Sequence, residues 1–237
     1  MQVLAVIPAR YKSTRFPGKP LIDLGGKTMI RRIFETVSAI EGIDDVVVAT
    51  DDPRIAMEVI GFDGKLVMTS SSCASGTDRV AQAIGSNKAE LIVNVQGDQV
   101  IMDAAAVTAL AEALKAGCDM VTIAAKATDE ELANPNCVKV VCDAAGDAIT
   151  FSRSVETCQA KAPGAECFKH VGVYGFKREV LERFAKLPQS PLEKAESLEQ
   201  LRALENGIPI RVILASGEFH EINVPEDQQR LEGFWQD

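Results

Sequence analysis

The chain has 237 residues, 46% of them hydrophobic and only 5% aromatic, with a net charge of −9 at pH 7. That length and composition suit one α/β domain with a sizeable core, or such a domain with an elaborated arm. The acidic excess excludes general binding to nucleic acid or to an anionic membrane surface.

No charged-then-apolar leader and no bilayer-length apolar run can be read, so a soluble cytoplasmic protein is expected. Cys73, Cys118, Cys137, Cys142, Cys158 and Cys167 form no C-x-x-C pair, and His170 and His220 build no zinc pattern with them. Reduced thiols serving as small hydrophobes are expected, with a regulatory Cys158–Cys167 disulfide the less favoured alternative.

Val3 to Ile7 is a continuously apolar, β-branched run, as in a strand buried on both faces of a parallel sheet. The loop that follows carries Arg10, Lys12, Arg15 and Lys19 with no intervening acid, stiffened by Pro8, Pro17 and Pro20. Cations clustered at the end of a buried strand can neutralise a polyphosphate, and Gly18 lets backbone approach it closely. The loop is neither a Walker A motif nor G-x-G-x-x-G.

Thr28 to Ile40 reads as a helix, with apolar residues near a 3.6 period. Asp45 to Thr50 is a second buried strand, and Pro53 suits the first turn of a helix running towards Ile60. Lys65 to Met68 is a third strand. Ala74 to Val80 opens another helix, where Ser75 or Thr77 can cap. Leu91 to Val95 is the fourth strand. This alternation predicts an α/β fold with a doubly wound, mostly parallel, Rossmann-like sheet, and ligands at the carboxyl ends of its strands.

The second half has fewer helices. Strands are expected at Asp119 to Ala124, Cys137 to Val141, Asp147 to Phe151 and Lys169 to Phe176, forming a partly antiparallel dimerisation extension. Helices are expected at Glu179 to Leu187, Glu193 to Asn206 (with Gly207 beyond its end) and Glu226 to Phe234. Ile210 to Ala215 is a late strand, and Glu156 to Glu166 reads as a mobile loop. The organisation expected is a single domain with a first half over about 1–125 that carries the basic loop and a partly antiparallel second half over about 126–237.

Several residues carry chemistry in this frame. Asp98, just past a buried strand, can hold a hard cation such as Mg²⁺ that also bridges phosphates. A turn aspartate after Gly97 is the plainer reading, which the basic loop outweighs. Alternation puts His170, Gly172 and Tyr174 on one face of a strand, with a glycine-sized gap between imidazole and phenol. Arg153 can grip a carboxylate bidentately. Glu199 and Gln200 flank an apolar helix stripe and would otherwise be a solvated face.

The segment Val6-Ile-Pro-Ala-Arg-Tyr-Lys-Ser-Thr-Arg-Phe-Pro-Gly-Lys-Pro-Leu21 resembles the N-terminal signature of the 3-deoxy-manno-octulosonate (Kdo) cytidylyltransferases. Ser75-Gly-Thr-Asp-Arg79, Gly97-Asp98, Ser152-Arg153, Lys169-His-Val-Gly-Val-Tyr174 and Leu198-Glu-Gln-Leu-Arg202 resemble further motifs of that family, in its order. The resemblance implies transfer of CMP from CTP to a 3-deoxy-ulosonic acid for lipopolysaccharide biosynthesis, with Mg²⁺ as cofactor, in a cytoplasmic homodimer. Pro8, Ala9, Arg10, Arg15, Lys19, Ser75 and Gly76 would then bind nucleotide, and Arg10, Lys19 and Asp98 would be catalytic. Gln96, Arg153, His170, Tyr174, Glu199 and Gln200 would bind the sugar acid, with Asp98 and Asn223 at the metal.

The chain departs from the family pattern at three places. Gln99-Val100 stands where the family has Glu-Pro, Val155-Glu156 replaces Ile-Pro, and Asn223 replaces the second metal aspartate. These departures keep open a catalytically weakened paralogue that binds without turnover. A sugar 1-phosphate nucleotidyltransferase is the other alternative, although the second half offers no cation cluster for an acceptor phosphate.

Overall fold

The structure, a computed structural model, describes residues 2–12, 15–85 and 87–235. The chain divides into two compact units, one of residues 1–104 and 218–237 and the other of residues 105–217. The boundary expected near residue 125 falls at the end of a strand of the second unit.

In the first unit, Val3–Ala9 (β1) is buried along its whole length, as its unbroken apolar run requires. Helix Met29–Ser38 (α1) begins after Thr28, whose hydroxyl accepts from the Arg31 amide, and buries Met29, Ile30, Ile33 and Val37. Asp45–Thr50 (β2) is followed by Pro53–Gly61 (α2), with Asp52 as its cap and Pro53 in its first turn. Leu66–Met68 (β3), Gly76–Ala83 (α3) and Leu91–Asn94 (β4) complete the alternation. β1 lies between β2 and β4, and β3 pairs with β2, all in parallel. The short strand Gln99–Ile101 (β5) follows.

The second unit opens with Ala104–Lys115 (α4), a helix absent from the sequence reading. It buries Ala106, Val107, Leu110, Ala111 and Leu114, so the 3.6 period is present. Met120–Ala125 (β6), Asp129–Ala133 (α5), Lys139–Cys142 (β7), Ala148–Ser152 (β8), Val155–Lys161 (α6) and Phe168–Lys177 (β9) come next. Then follow Arg178–Phe184 (α7), Pro191–Glu196 (α8), Gln200–Glu205 (α9) and Ile210–Ala215 (β10). β6 pairs with β10 in parallel and with β9 antiparallel, while β7 is antiparallel to both β8 and β9. The half is thus partly antiparallel, as expected. α4 packs closely on β9, since a Cβ at Gly175 would stand 2.6 Å from Leu110 and 2.7 Å from Leu114.

The chain then returns to the first unit. His220–Glu221 (β11) pairs antiparallel with β5, and Pro225–Leu231 (α10) follows.

Three expectations are corrected. The Glu193–Asn206 helix is two helices, because Ser197 takes a left-handed conformation (φ 55°) that ends α8 before α9 begins. The expected mobile stretch 156–166 is mostly α6, capped by Ser154 and anchored by Cys158 against Val141 and Ala162. Pro163-Gly164 ends that helix rather than marking a long loop. The last helix stops at Leu231 and tightens to a 3-10 turn over Glu232–Trp235. Gly207 (φ 68°) does follow α9, with its amide bonded to Leu204 and that of Ile208 to Ala203. No helix among the described residues is long and apolar enough to cross a membrane.

Candidate active site

At the carboxyl ends of β1 and β4 the first unit opens a cleft. Pro8, Ala9, Arg10, Arg15, Lys19, Ser75, Gly76, Gln96 and Asp98, all expected at the site, line it. Lys12 is exposed and does not contribute to the lining. Gly18 (φ 75°) bends the basic loop back so that its amide meets the Tyr11 carbonyl at 3.0 Å. A Cβ there would press on the Tyr11 ring. The next residue, Lys19, donates from Nζ to Asp98 Oδ2 at 2.8 Å. Arg10 is exposed and makes no side-chain hydrogen bond among the described residues.

The opposite wall is the start of α3. Ser75, the alternative to Thr77 as cap, accepts from the Asp78 amide, and the Asp78 carboxylate accepts from the Ser75 amide in return. Gly76 then sits beside Pro8 and Gln96. Gly97 has no room for a side chain, because a Cβ would stand 2.5 Å from the Pro8 carbonyl oxygen. That close approach seats Asp98 against the end of β1.

Sequence reasoning missed part of this lining. Pro20, Cys73, Arg79 and Gly97 also face the cleft. Arg79 is buried, bonded to Thr69 and paired with Asp51 at 3.3 Å. Its place in the Ser75–Arg79 segment was the available signal, whereas Cys73 gave none.

Asn223 does not line the cleft but touches a residue that does. Its Oδ1 accepts from Arg15 Nη2 at 3.3 Å, and its Nδ2 donates to Glu221 at 3.0 Å. The Asp227 carboxylate accepts from the Asn223 and Val224 amides, fixing the turn. Among the described residues no cluster of three or more His, Cys, Asp or Glu side chains could hold a metal alone. The donor set nevertheless fits Mg²⁺ arriving with a nucleotide, since that ion is usually held by one or two carboxylates and substrate phosphates. Asp98 offers Oδ1, free of hydrogen bonds among the described residues, and Asn223 offers a neutral oxygen.

The expected sugar residues other than Gln96 are in the second unit. Phe151 and His170 pack edge to face at 5.1 Å, and the rings of His170 and Tyr174 are tilted to one another at 5.4 Å. Residues 170, 172 and 174 are partly exposed and 171 and 173 buried, as alternation requires. His170 Nε2 lies 3.0 Å from Thr122 Oγ1, and that hydroxyl donates to the Val173 carbonyl at 2.9 Å. With its only proton given away, Thr122 must accept from His170. The imidazole is therefore the Nε2–H tautomer, with Nδ1 left as an acceptor. Although the residue is partly exposed, packing of its ring between Phe151 and Tyr174 desolvates the imidazolium and pushes its pKa down to about 3.

Arg153 donates to the carbonyls of Glu196 and Pro135, each at 3.3 Å. The first bond ties it to the turn that presents Glu199 and Gln200, and α9 packs on β8. The buried Arg202–Glu193 pair (Nε to Oε2, 2.8 Å) holds α9 against α8.

A cytidylyltransferase family model matches residues 4–218. A 3-deoxy-manno-octulosonate cytidylyltransferase of Myxococcus xanthus is 46% identical over 98% of this chain and 95% of its own length. The chain belongs to the 3-deoxy-manno-octulosonate cytidylyltransferase family. An 8-amino-3,8-dideoxy-manno-octulosonate cytidylyltransferase of Shewanella pealeana is similar as well, 43% identical over 96% of each chain. Among solved structures, a CMP:2-keto-3-deoxy-manno-octonic acid synthetase complexed with CTP superposes with a TM-score of 0.93. It is 37% identical and covers 99% of this chain and 98% of its own. A Bacillus anthracis structure assigned as a glucose-1-phosphate thymidylyltransferase shares the α/β fold alone, at 14% identity and a TM-score of 0.69 over 99% and 96% of the two chains. The N-terminal signature and the motifs after it thus identified the family, some from residues that line the cleft of the first unit and others from strands and helices of the second.

Proposed function

We propose that this cytidylyltransferase joins CMP from CTP to the anomeric hydroxyl of a 3-deoxy-ulosonic acid, Kdo or its 8-amino analogue, for lipopolysaccharide biosynthesis in the cytoplasm. The hydroxyl oxygen attacks the α-phosphorus in line, the bond to the β-phosphate oxygen breaks, and pyrophosphate leaves with that electron pair. The hydroxyl proton is released.

The observation that carries this reading is the convergence of Arg10, Arg15, Lys19, the start of α3 and Asp98 on one cleft. Arg10, Arg15 and Lys19 bind the triphosphate and offset its charge as it shifts towards pyrophosphate. Pro8, Ala9, Ser75 and Gly76 shape the space for the nucleoside. Asp98 would hold Mg²⁺, with Asn223 offering a neutral oxygen beside it. When bound, that ion supplies Lewis-acid neutralisation of the phosphate oxygens.

Arg153 takes the sugar carboxylate, and His170 and Tyr174 offer their polar edges to sugar oxygens. Glu199, Gln200 and Gln96 complete the acceptor's hydrogen bonding. The relatives act on carboxylated sugars by name, which favours this over a sugar 1-phosphate acceptor. A homodimer through the antiparallel part of the second unit completes the reading, supported by the exposed Ile149 on β8. Incubation with CTP, Mg²⁺ and Kdo or 8-amino-Kdo should release pyrophosphate. An inert wild type that becomes active as Asn223→Asp would instead support the silent-paralogue alternative.

A further inference from the structure

Lys139 has no exposed surface and is among the largest fully buried side chains of the molecule. Its Nζ donates to the carbonyls of Asn134 at 2.6 Å and Arg153 at 3.0 Å. Among the described residues no carboxylate pairs with it. Glu156 feels its charge, but Glu156 is exposed and held by Ser154. A buried ammonium is normally matched by an anion, because desolvation of the charge is otherwise uncompensated. Simple packing would be served by valine, as at the neighbouring Val140 and Val141.

The register shows what the charge is next to. Lys139 lies in the middle strand of β8-β7-β9, opposite Ser152 on one side and Lys169 on the other. Those are the residues immediately before Arg153 and His170. Lys139 holds the Arg153 carbonyl, while among the described residues the Arg153 guanidinium makes two long bonds, both to carbonyls.

We propose that Lys139 is a positioning residue for the sugar-acid site: it fixes the Arg153 turn and sets a buried positive charge behind it that favours a carboxylated acceptor. The proposal rests on the reading of Arg153 as the carboxylate ligand. It makes the preference for an acid a property of two cations, one touching the acceptor and one beneath it.

The test compares Lys139→Met and Lys139→Arg with wild type, with KM for Kdo, KM for CTP and kcat measured separately. Lys139→Met should raise the KM for Kdo about tenfold or more, the scale of a lost charge-assisted contact, and leave the KM for CTP within about twofold. Lys139→Arg should recover part of the loss. A folded Lys139→Met with an unchanged KM for Kdo, or with equal losses for both substrates, overturns the proposal. Should Lys139→Met fail to fold, the lysine Cε resonance of wild type, labelled with ¹³C and assigned with Lys139→Arg, takes its place. It should shift on addition of Kdo and not of CTP alone, and a resonance unmoved by Kdo would overturn the proposal. Arg153→Ala separates the two readings. If it raises the KM for Kdo while Lys139→Met does not, only the Lys139 role fails. If Arg153→Ala itself leaves that KM unchanged, the acceptor-site reading fails.

Discussion

Lys19 and Asp98 form an ion pair at 2.8 Å between the loop after β1 and the loop after β4. Both side chains are largely sheltered, at 12% and 27% exposure, so the pair is not a screened surface contact. A phosphate on Lys19 and a cation on Asp98 would replace one ion pair with two. On the proposed reading, binding of the triphosphate and of the cation would therefore be coupled through this contact.

Lys19→Ala should weaken CTP binding strongly. A charge-assisted hydrogen bond contributes roughly 1.5–3 kcal/mol, or about ten- to hundred-fold in affinity. Calorimetry with CTP should show that loss, and an unchanged affinity would remove Lys19 from the triphosphate site.

The contact of Asn223 with Arg15 gives the second prediction. An amide oxygen can coordinate Mg²⁺ but brings no charge to it. Asn223→Asp should lower the Mg²⁺ concentration for half-maximal rate and raise turnover, while Asp98→Asn should abolish activity. Magnesium titrations of the three proteins decide this. An active wild type whose magnesium dependence matches that of Asn223→Asp would contradict it.

Gly97→Ala should be costly for a different reason from Asp98→Ala, which removes the partner of Lys19 but asks no backbone to move. The added Cβ would stand 2.5 Å from backbone at Pro8, so β1 or the Asp98 loop must move. Overpacking of this kind costs about 1–3 kcal/mol. Thermal unfolding and CTP calorimetry should both register Gly97→Ala, and a variant with native stability and affinity would show that the loop tolerates the shift.

His170 should stay neutral across the working range. Its folded pKa of about 3 lies below the ordinary value of 6.5, because burial disfavours the imidazolium. As pH falls the unfolded chain takes up this proton first. The stability contribution is complete above 6.5 and drains away towards pH 3. The His170 ring protons should show no titration step between about pH 5 and 8, where an ordinary histidine titrates. A midpoint near the ordinary value would contradict this desolvation of the ring.

Much of the cleft could be read from local sequence because its parts are local. Arg10 to Lys19 follow an unbroken apolar run and Gln96 to Asp98 a run interrupted only by Asn94, and such runs mark buried strands. Asp45–Thr50 and Ile210–Ala215 matched their expected bounds for the same reason. What escaped depends on distance along the chain or on single dihedrals. The Arg15–Asn223 contact joins residues 208 apart, and Thr122 meets His170 across 48. No periodicity announces either. The break at Ser197 rests on a serine in a conformation that usually selects glycine or asparagine. α4 was legible in its period yet obscured by its run of alanines, which weakens the contrast between faces. Lys139 could not be read as buried at all, since lysine alternating with valine ordinarily marks an exposed face.

The central claim is that the anomeric oxygen of a sugar acid attacks the α-phosphorus of CTP. Kdo carrying ¹⁸O at its anomeric hydroxyl, incubated with the protein, CTP and Mg²⁺, tests it directly. Mass spectrometry of the products should find the label kept in CMP-Kdo and absent from pyrophosphate. Label in pyrophosphate, or turnover of a sugar 1-phosphate with none of Kdo or 8-amino-Kdo, would contradict the account.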